Sequence, residues 1–548
     1  MSNNTTLGTD SLNSNNTGTN NTSIGAYSSY TNDSGTNNTA IGSNSSFFNV
    51  SGNNNTALGA GSLCNNVNGS LNTAIGSSAL EGQVGQSVGD ENVAVGAQAL
   101  YSNQGIQNTA IGTYSLLNNT TGNNNTAVGY NTLKTTTSAS LTTAIGFKAL
   151  EALTTGVQNT AIGSFSLAKT TSGQQNTAVG HTSLNNNTEG NGNTAIGQGT
   201  LSSNIDGDNN VAVGLAALQA NTSGGANVGI GVRALWKNTE GDLNFAIGNG
   251  ALEENTTGAA NIAIGRASLG LNVASNGSVA IGNSALYNHG QTTNASCIAI
   301  GQETLFSNTT GYNNIGIGAG TGTGTGVLYS NTTGHDNIAI GYNSMKFNTT
   351  GYTNTAVGNN SLVGPGPTGA TVGQNNVAIG AASLQVNAGN DNTAIGVSTL
   401  NFNTSGIENT AVGAYSIAKN TTGNYNAAVG YDSLRENTTG GNNTAVGFRA
   451  LRSNTTISEL TAVGYGALEN NITGGIENTA IGYMAMNFNT SGQSNVAIGH
   501  NSLAGPGPTG ATVGNNNVAI GVASLQNNSS NDNTAIGYNA MKLNTGMS

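Results

Sequence analysis

Charge is the first thing this sequence lacks. Twelve lysines and arginines and 23 aspartates and glutamates make up 6% of the 548 residues, where a soluble domain usually carries about 25%. The net charge of −11, with the basic residues scattered, offers no electrostatic footprint for nucleic acid. Four prolines exclude a collagen-like chain, and Cys64 and Cys297 are too few and too far apart for a disulfide framework. Aromatics are sparse, with a single tryptophan. No 18-residue apolar run exists, so no membrane-spanning helix is expected, and the opening Met-Ser-Asn-Asn-Thr-Thr does not read as a signal peptide. Generic disorder would call for a high net charge, which is also missing. Glycine, asparagine and threonine are abundant instead, and their order carries the information.

That order is periodic. Asn-Thr-Ala-Ile-Gly or a close variant recurs along the whole chain, its glycine running from Gly8 to Gly537. The commonest interval is seventeen, as between Gly146, Gly163, Gly180 and Gly197. The unit is N-T-A-I-G-x-x-S/A-L-x-x-N-T-T-G-x-x. The residue before the glycine is always Ile, Val or Leu. The one before that is Ala, with Thr6, Ser23, Gly229 and Gly316 as small substitutes. The fourth residue after the glycine is Leu, Ile or Met except at Ser29, Ser46 and Gly322; Tyr30 and Phe47 follow two of these exceptions and are candidates to fill the gap. Asn opens every unit except at Thr142, Ser278, Cys297 and Leu460.

Two packed helices do not fit in such a unit, and its apolar spacing is not 3.6-periodic. T-A-I reads as a short strand ended by a glycine at positive φ. S/A-L reads as a second short extended piece, and N-T-T-G as a turn whose Asn bonds its own backbone. The expected fold is therefore all-β, a parallel β-solenoid (β-roll) of about 31 coils. Coils about 4.8 Å apart would give one continuous rod roughly 150 Å long spanning positions 1–548. The opening Asn should form an amide ladder from coil to coil, weakened at Cys297 and Leu460. Because faces alternate along a strand, Ala points one way and Thr and Ile the other. If Ala lines the interior, an outward apolar stripe follows, reinforced where Thr is replaced (Val211, Phe245, Ile262, Ile298, Ile338), and such a stripe favours side-by-side association. If Ile faces inward beside Leu, a monomeric rod is sufficient.

The repeated N-T/V-A-I/V-G-x-x-S/A resembles the head repeats of trimeric autotransporter adhesins, and also repeat regions of phage and algal-virus fibre proteins. The likeness runs from Asn4 to about Gly546. It implies a left-handed parallel β-roll assembled as a homotrimer, with strand aliphatics packed between chains. The unit here is longer than the adhesins' usual one, which lengthens the turn.

Loop inserts are expected near 82–89, 320–326, 364–373 and 505–514. The last two hold Pro365, Pro367, Pro506 and Pro508 and lie in a duplicated block, 341–400 and 482–541, in which Gly341 matches Gly482 and Gly358 matches Gly499. Motif phase is kept almost to both ends, where exposed coil edges would template head-to-tail stacking into a filament. No catalytic, cofactor or metal site is expected: His181, His289, His335 and His500 lack ligand spacing, and His335-Asp336 reads as a solvated turn. N-x-S/T triplets at Asn221, Asn255, Asn331, Asn348 and Asn437 read as turns or as glycan acceptors.

The function expected is that of a non-enzymatic structural fibre on a cell or virion surface, self-assembling as a trimer or filament. The alternative is an adhesin or receptor-binding fibre recognising surface glycans, for which Tyr415, Tyr425, Tyr431 and Tyr465 form a late aromatic cluster. An ice-binding protein is a third class, disfavoured by the broken Thr column.

Overall fold

The computed structural model describes residues 3–290, 296–318, 320, 322–366, 371–505, 507 and 513–542. It is an all-parallel β-solenoid whose strands, β1 to β31, are each three residues long, with no helix among the described residues. Most coils are seventeen residues long. The chain divides into two compact units, Met1–Ala274 and Ser275–Ser548. The first contains β1 (Thr5–Leu7) to β16 (Ile262–Ile264), the second β17 (Val279–Ile281) to β31 (Thr534–Ile536). Within each unit, successive strands pair in parallel and the register does not slip. Thr160, Ala161 and Ile162 face Thr177, Ala178 and Val179, and Thr73 faces Val93 even though the intervening coil is lengthened by an insert.

The motif glycine sets this geometry. Its φ lies between +119° and +143° in every copy, and a Cβ on Gly163 would sit 2.5 Å from the carbonyl oxygen of Gly180 in the next coil. Coils can approach to strand spacing only because that carbon is absent.

The S/A-L segment is not a second extended piece; each coil has one strand, followed by a tight turn. Ser78 and Leu80 both adopt left-handed φ (53° and 49°), and Ala79 N–H bonds back to the carbonyl of Gly76 at 3.3 Å. Alternation of hand sends successive amides in opposite directions. Ser78 N–H donates to Ala60 in the preceding coil and Leu80 N–H to Ala99 in the next. A left-handed leucine costs roughly 1–2 kcal/mol, and burying its side chain returns about 1.5–3 kcal/mol. Leu80, like its counterparts in most coils, is fully buried.

Two asparagine columns complete the interior. In the first, the opening Asn takes part in three coil-bridging contacts: Asn176 N–H donates to Asn159 Oδ1 (3.0 Å), and Asn176 Nδ2 donates to Asn159 Oδ1 (3.2 Å) and to Gly190 O (2.9 Å). The second column is the Asn of N-T-T-G. Asn204 Nδ2 bonds Gly207 O of its own turn at 3.0 Å, as expected, and also Asn187 Oδ1 one coil away at 2.7 Å, which makes it a ladder too. At Leu460 the backbone rung survives (Leu460 N to Asn443 Oδ1, 3.0 Å) while the amide is lost. At Cys297 the thiol takes the amide's place against Gly311 O (3.4 Å).

The insert at 82–89 bulges outward at Val84, which is 80% exposed, and returns to the core at Val88, which is fully buried. Val372 and Val513 re-enter the core in the same way at the ends of the two proline inserts. Within those inserts residues 367–370, 506 and 508–512, including Pro367, Pro506 and Pro508, lie outside the described residues, as does Thr321 of the 320–326 insert. Tyr30 and Phe47 do not fill the gaps left by Ser29 and Ser46. Both serines stay buried at left-handed φ, and the two rings stack on each other, half-buried, 5.0 Å apart.

Candidate functional site

The strand face carries the features left over once the core is built. In Thr160-Ala161-Ile162 the alanine is fully buried, while Thr160 and Ile162 point out of the coil. The aliphatic residue therefore faces outward, as in the first of the two arrangements the alternation allows. Residues such as Ile75, Ile111, Ile196, Ile379, Ile395 and Ile498 remain 36–42% exposed even with coils on both sides. Leu7 and Ile536, each with one neighbouring strand, reach 68% and 69%. Stacking thus covers only part of each side chain, and the remainder forms a stripe parallel to the stacking direction in each unit. At the Thr position, Phe245 and Ile262 in the first unit and Ile298 and Ile338 in the second add further exposed apolar side chains.

Beside the stripe, at the residue after the motif glycine, aromatic rings line up. Tyr431, Phe448, Tyr465, Tyr483 and His500 stack at centroid spacings of 5.5, 4.9, 5.0 and 5.0 Å, with interplanar angles of 7–13°. Of the late tyrosine cluster, Tyr431 and Tyr465 belong to this column and Tyr415 meets Tyr431 edge-on at 5.9 Å. Tyr425 is exposed and lies on another phase of the coil. Coil stacking brings equivalent phases together, so Phe448, Tyr483 and His500 join a set that chain proximity alone did not reveal. A count of residues at the post-glycine phase would have found them.

The histidines separate into different environments. His335 is held between Tyr312 (4.6 Å) and Tyr352 (4.9 Å) while its Nδ1 meets Asp336 Oδ2 at 2.8 Å; the pair stays exposed and the imidazole joins an aromatic column. The hydrogen bond from His335, helped by Asn313, holds the Asp336 carboxyl below its usual range. His289 is fully buried, with Nδ1 2.9 Å from Asn308 Nδ2. His181 stands edge-on to Phe165. No group of three metal-capable side chains is gathered among the described residues.

The five sequon asparagines named above belong to the second ladder. Asn221, Asn255, Asn331, Asn348 and Asn437 are fully buried. Each Nδ2 donates to the preceding ladder Asn and to its own turn glycine, as in Asn255 to Asn238 Oδ1 (2.7 Å) and Gly258 O (2.9 Å). The nitrogen a glycan would need is already committed. Cys64 and Cys297 are free thiols, and burial pushes them up to about 11 and about 12 respectively. A comparison of the sequence with protein-family models finds no match, and none of the curated proteins matches it either.

Proposed function

We propose that this chain is a non-enzymatic structural repeat whose copies pack side by side through the outward stripe, forming a fibre on a cell or virion surface. The observation that supports this is the half-exposed Ile/Val column on the strand face. Each such residue leaves about 60–80 Å² of apolar surface open. Seven of the first twelve coils carry an aliphatic this exposed, about 500 Å² per copy, and the partly exposed members between them bring the face toward the share one partner contributes to a stable interface. Patches of that size on water-exposed faces usually mark contact surfaces. Three copies is the number implied by the resemblance to adhesin head repeats, in which strand aliphatics pack between chains.

Sedimentation velocity on the purified chain, together with its Ile481→Lys/Ile498→Lys variant, tests the proposal. The expected result is an oligomer at micromolar concentration that the variant shifts toward monomer with its β circular dichroism unchanged. A wild-type monomer at all concentrations, or assembly indifferent to the lysines, would refute it. Electron microscopy of the same samples distinguishes side-by-side from end-to-end joining.

A further inference from the structure

Four of the chain's 12 cationic side chains fall close together in the second unit: Lys419, Arg435, Arg449 and Arg452. They flank the Tyr431–His500 ring column. The organising group is Asp432, whose side chain is only 3% exposed and is met by Arg435 at 3.2 Å, Arg452 at 3.5 Å and Arg449 at 4.0 Å. Three guanidiniums surround one buried carboxylate. Arg435 also reaches Glu436 (3.7 Å) and Arg449 reaches Glu469 (3.8 Å).

The donors exceed what these acids use. A guanidinium offers five N–H donors. The buried Nε of Arg452 and of Arg449 face Asp432 Oδ2 as ion pairs without hydrogen-bond geometry, and Arg449 Nη1 faces Glu469. This leaves the remaining Nη donors of both forks without a hydrogen bond to any described residue. Both side chains remain about one-third exposed, so an outside anion can reach their forks. Arg449 is held in place over the Phe448 ring at 4.9 Å. Tyr431, Tyr465 and Tyr483 are more than 40% exposed. Their ring faces are turned toward each other, so they present edges to solvent.

We propose that this patch binds an acidic saccharide chain lying parallel to the ring column, its carboxylate or sulfate groups on Arg449 and Arg452 and its hydroxyls on the row of phenols. Bidentate recognition of such anions is the chemistry guanidinium forks perform best. The rings repeat once per coil, a spacing close to the length of one sugar in an extended 1,4-linked chain. Single-stranded nucleic acid fits less well, because base stacking needs open ring faces.

The test is affinity electrophoresis and biolayer interferometry of the full chain against polygalacturonate (carboxylate), heparin (sulfate), dextran (neutral) and poly-dT. Binding to one or both acidic polymers above dextran and poly-dT is expected, the two arms identifying the anion. Arg449→Gln/Arg452→Gln should weaken it about tenfold or more, and Lys134→Gln/Lys148→Gln in the first unit should leave it unchanged. Should the arginine pair be needed for folding, as read by hydrogen exchange over 431–469, Arg452→Lys and Tyr465→Phe replace it and should each weaken binding about threefold. Absence of binding to either acidic polymer, equal binding to dextran or poly-dT, or indifference to the variants that fold would overturn the proposal.

Discussion

Asn221 and Asn119 occupy the same phase of the coil and are both fully buried, yet replacing them with alanine should have different consequences. Asn221 Nδ2 donates to Asn204 Oδ1 and Gly224 O, both at 2.8 Å, and its Oδ1 accepts from Asn238 Nδ2 at 2.8 Å. In Asn221→Ala, Gly224 O keeps Asn210 Nδ2 and Asn238 Nδ2 keeps Gly241 O, but Asn204 Oδ1 loses its one donor. One orphaned acceptor at about 1–3 kcal/mol plus the weakened partners gives about 2–4 kcal/mol. Asn119 sits where the ladder is already broken: its Oδ1 has no donor because Thr136 supplies none. Its Nδ2 partners, Asn103 Oδ1 and Gly122 O, each keep a second donor in Asn108. Asn119→Ala should therefore cost only about 0–1 kcal/mol, since it orphans nothing and removes a native orphan. The cavity term is the same for both. A long solenoid does not unfold in two states, so the readout is native-state hydrogen exchange on peptides covering 204–241 and 103–137. Equal loss of protection at the two sites would refute the idea that ladder continuity, rather than burial alone, sets the cost.

Three further outcomes follow from the same geometry. Gly163→Ala would place Cβ 2.5 Å from Gly180 O at a φ of +132°, and should open hydrogen exchange over the flanking strands Thr160–Ile162 and Thr177–Val179 by several kcal/mol; unchanged protection there would mean that coils separate easily. Cys297 keeps its proton up to about pH 12, whereas an unfolded thiol loses it near pH 8.5. Its contribution is therefore complete below about pH 8.5 and is lost as pH rises through about 12, by an amount on the order of 4 kcal/mol. Alkaline urea titrations of the wild type should show this slope and those of Cys297→Asn should not. Oligosaccharyltransferase acting on folded protein should leave Asn255, Asn331, Asn348 and Asn437 unmodified, whereas urea-unfolded chains should be modified; mass spectrometry of the peptides decides.

Much of the fold was legible because every coil packs against copies of itself, which forces each phase to obey a rule visible along the chain. The glycine column and the first Asn ladder could be inferred in this way, while alternation alone left open whether alanine or the aliphatic faces inward. The left-handed leucine could not, because neither strand nor helix periodicity describes a turn that alternates hand, and leucine is an unusual residue to find there. The ring column was half legible: Tyr431 and Tyr465 stood out as tyrosines, but Phe448 and His500 join them only through shared phase.

One rule becomes visible only when structure and sequence are read together. The opening Asn is replaced at Thr142, Ser278, Cys297 and Leu460, and in each case the turn glycine three positions earlier is replaced as well, by Ala139, Ser275, Asn294 and Ile457. The contacts supply a reason. A Cβ at the turn glycine would meet the next coil's turn carbonyl oxygen at 1.9 Å at Gly105, 2.1 Å at Gly122 and 1.9 Å at Gly389, and then the opening Asn amide at 3.0, 3.1 and 3.2 Å. Where the amide is removed, its share of the crowding goes and the backbone shifts to clear the carbonyl; where it is kept between two coils, glycine is held. Ile457 and Leu460 show the exchange directly: both are buried, and Ile457 O still accepts from Asn443 and Asn454 at 2.9 Å. Ser530 with Asn533 departs from the rule in the last described coil, where both residues are only half-buried. Glycine and asparagine at this corner therefore behave as one steric unit, and a repeat of this kind diverges by exchanging the pair.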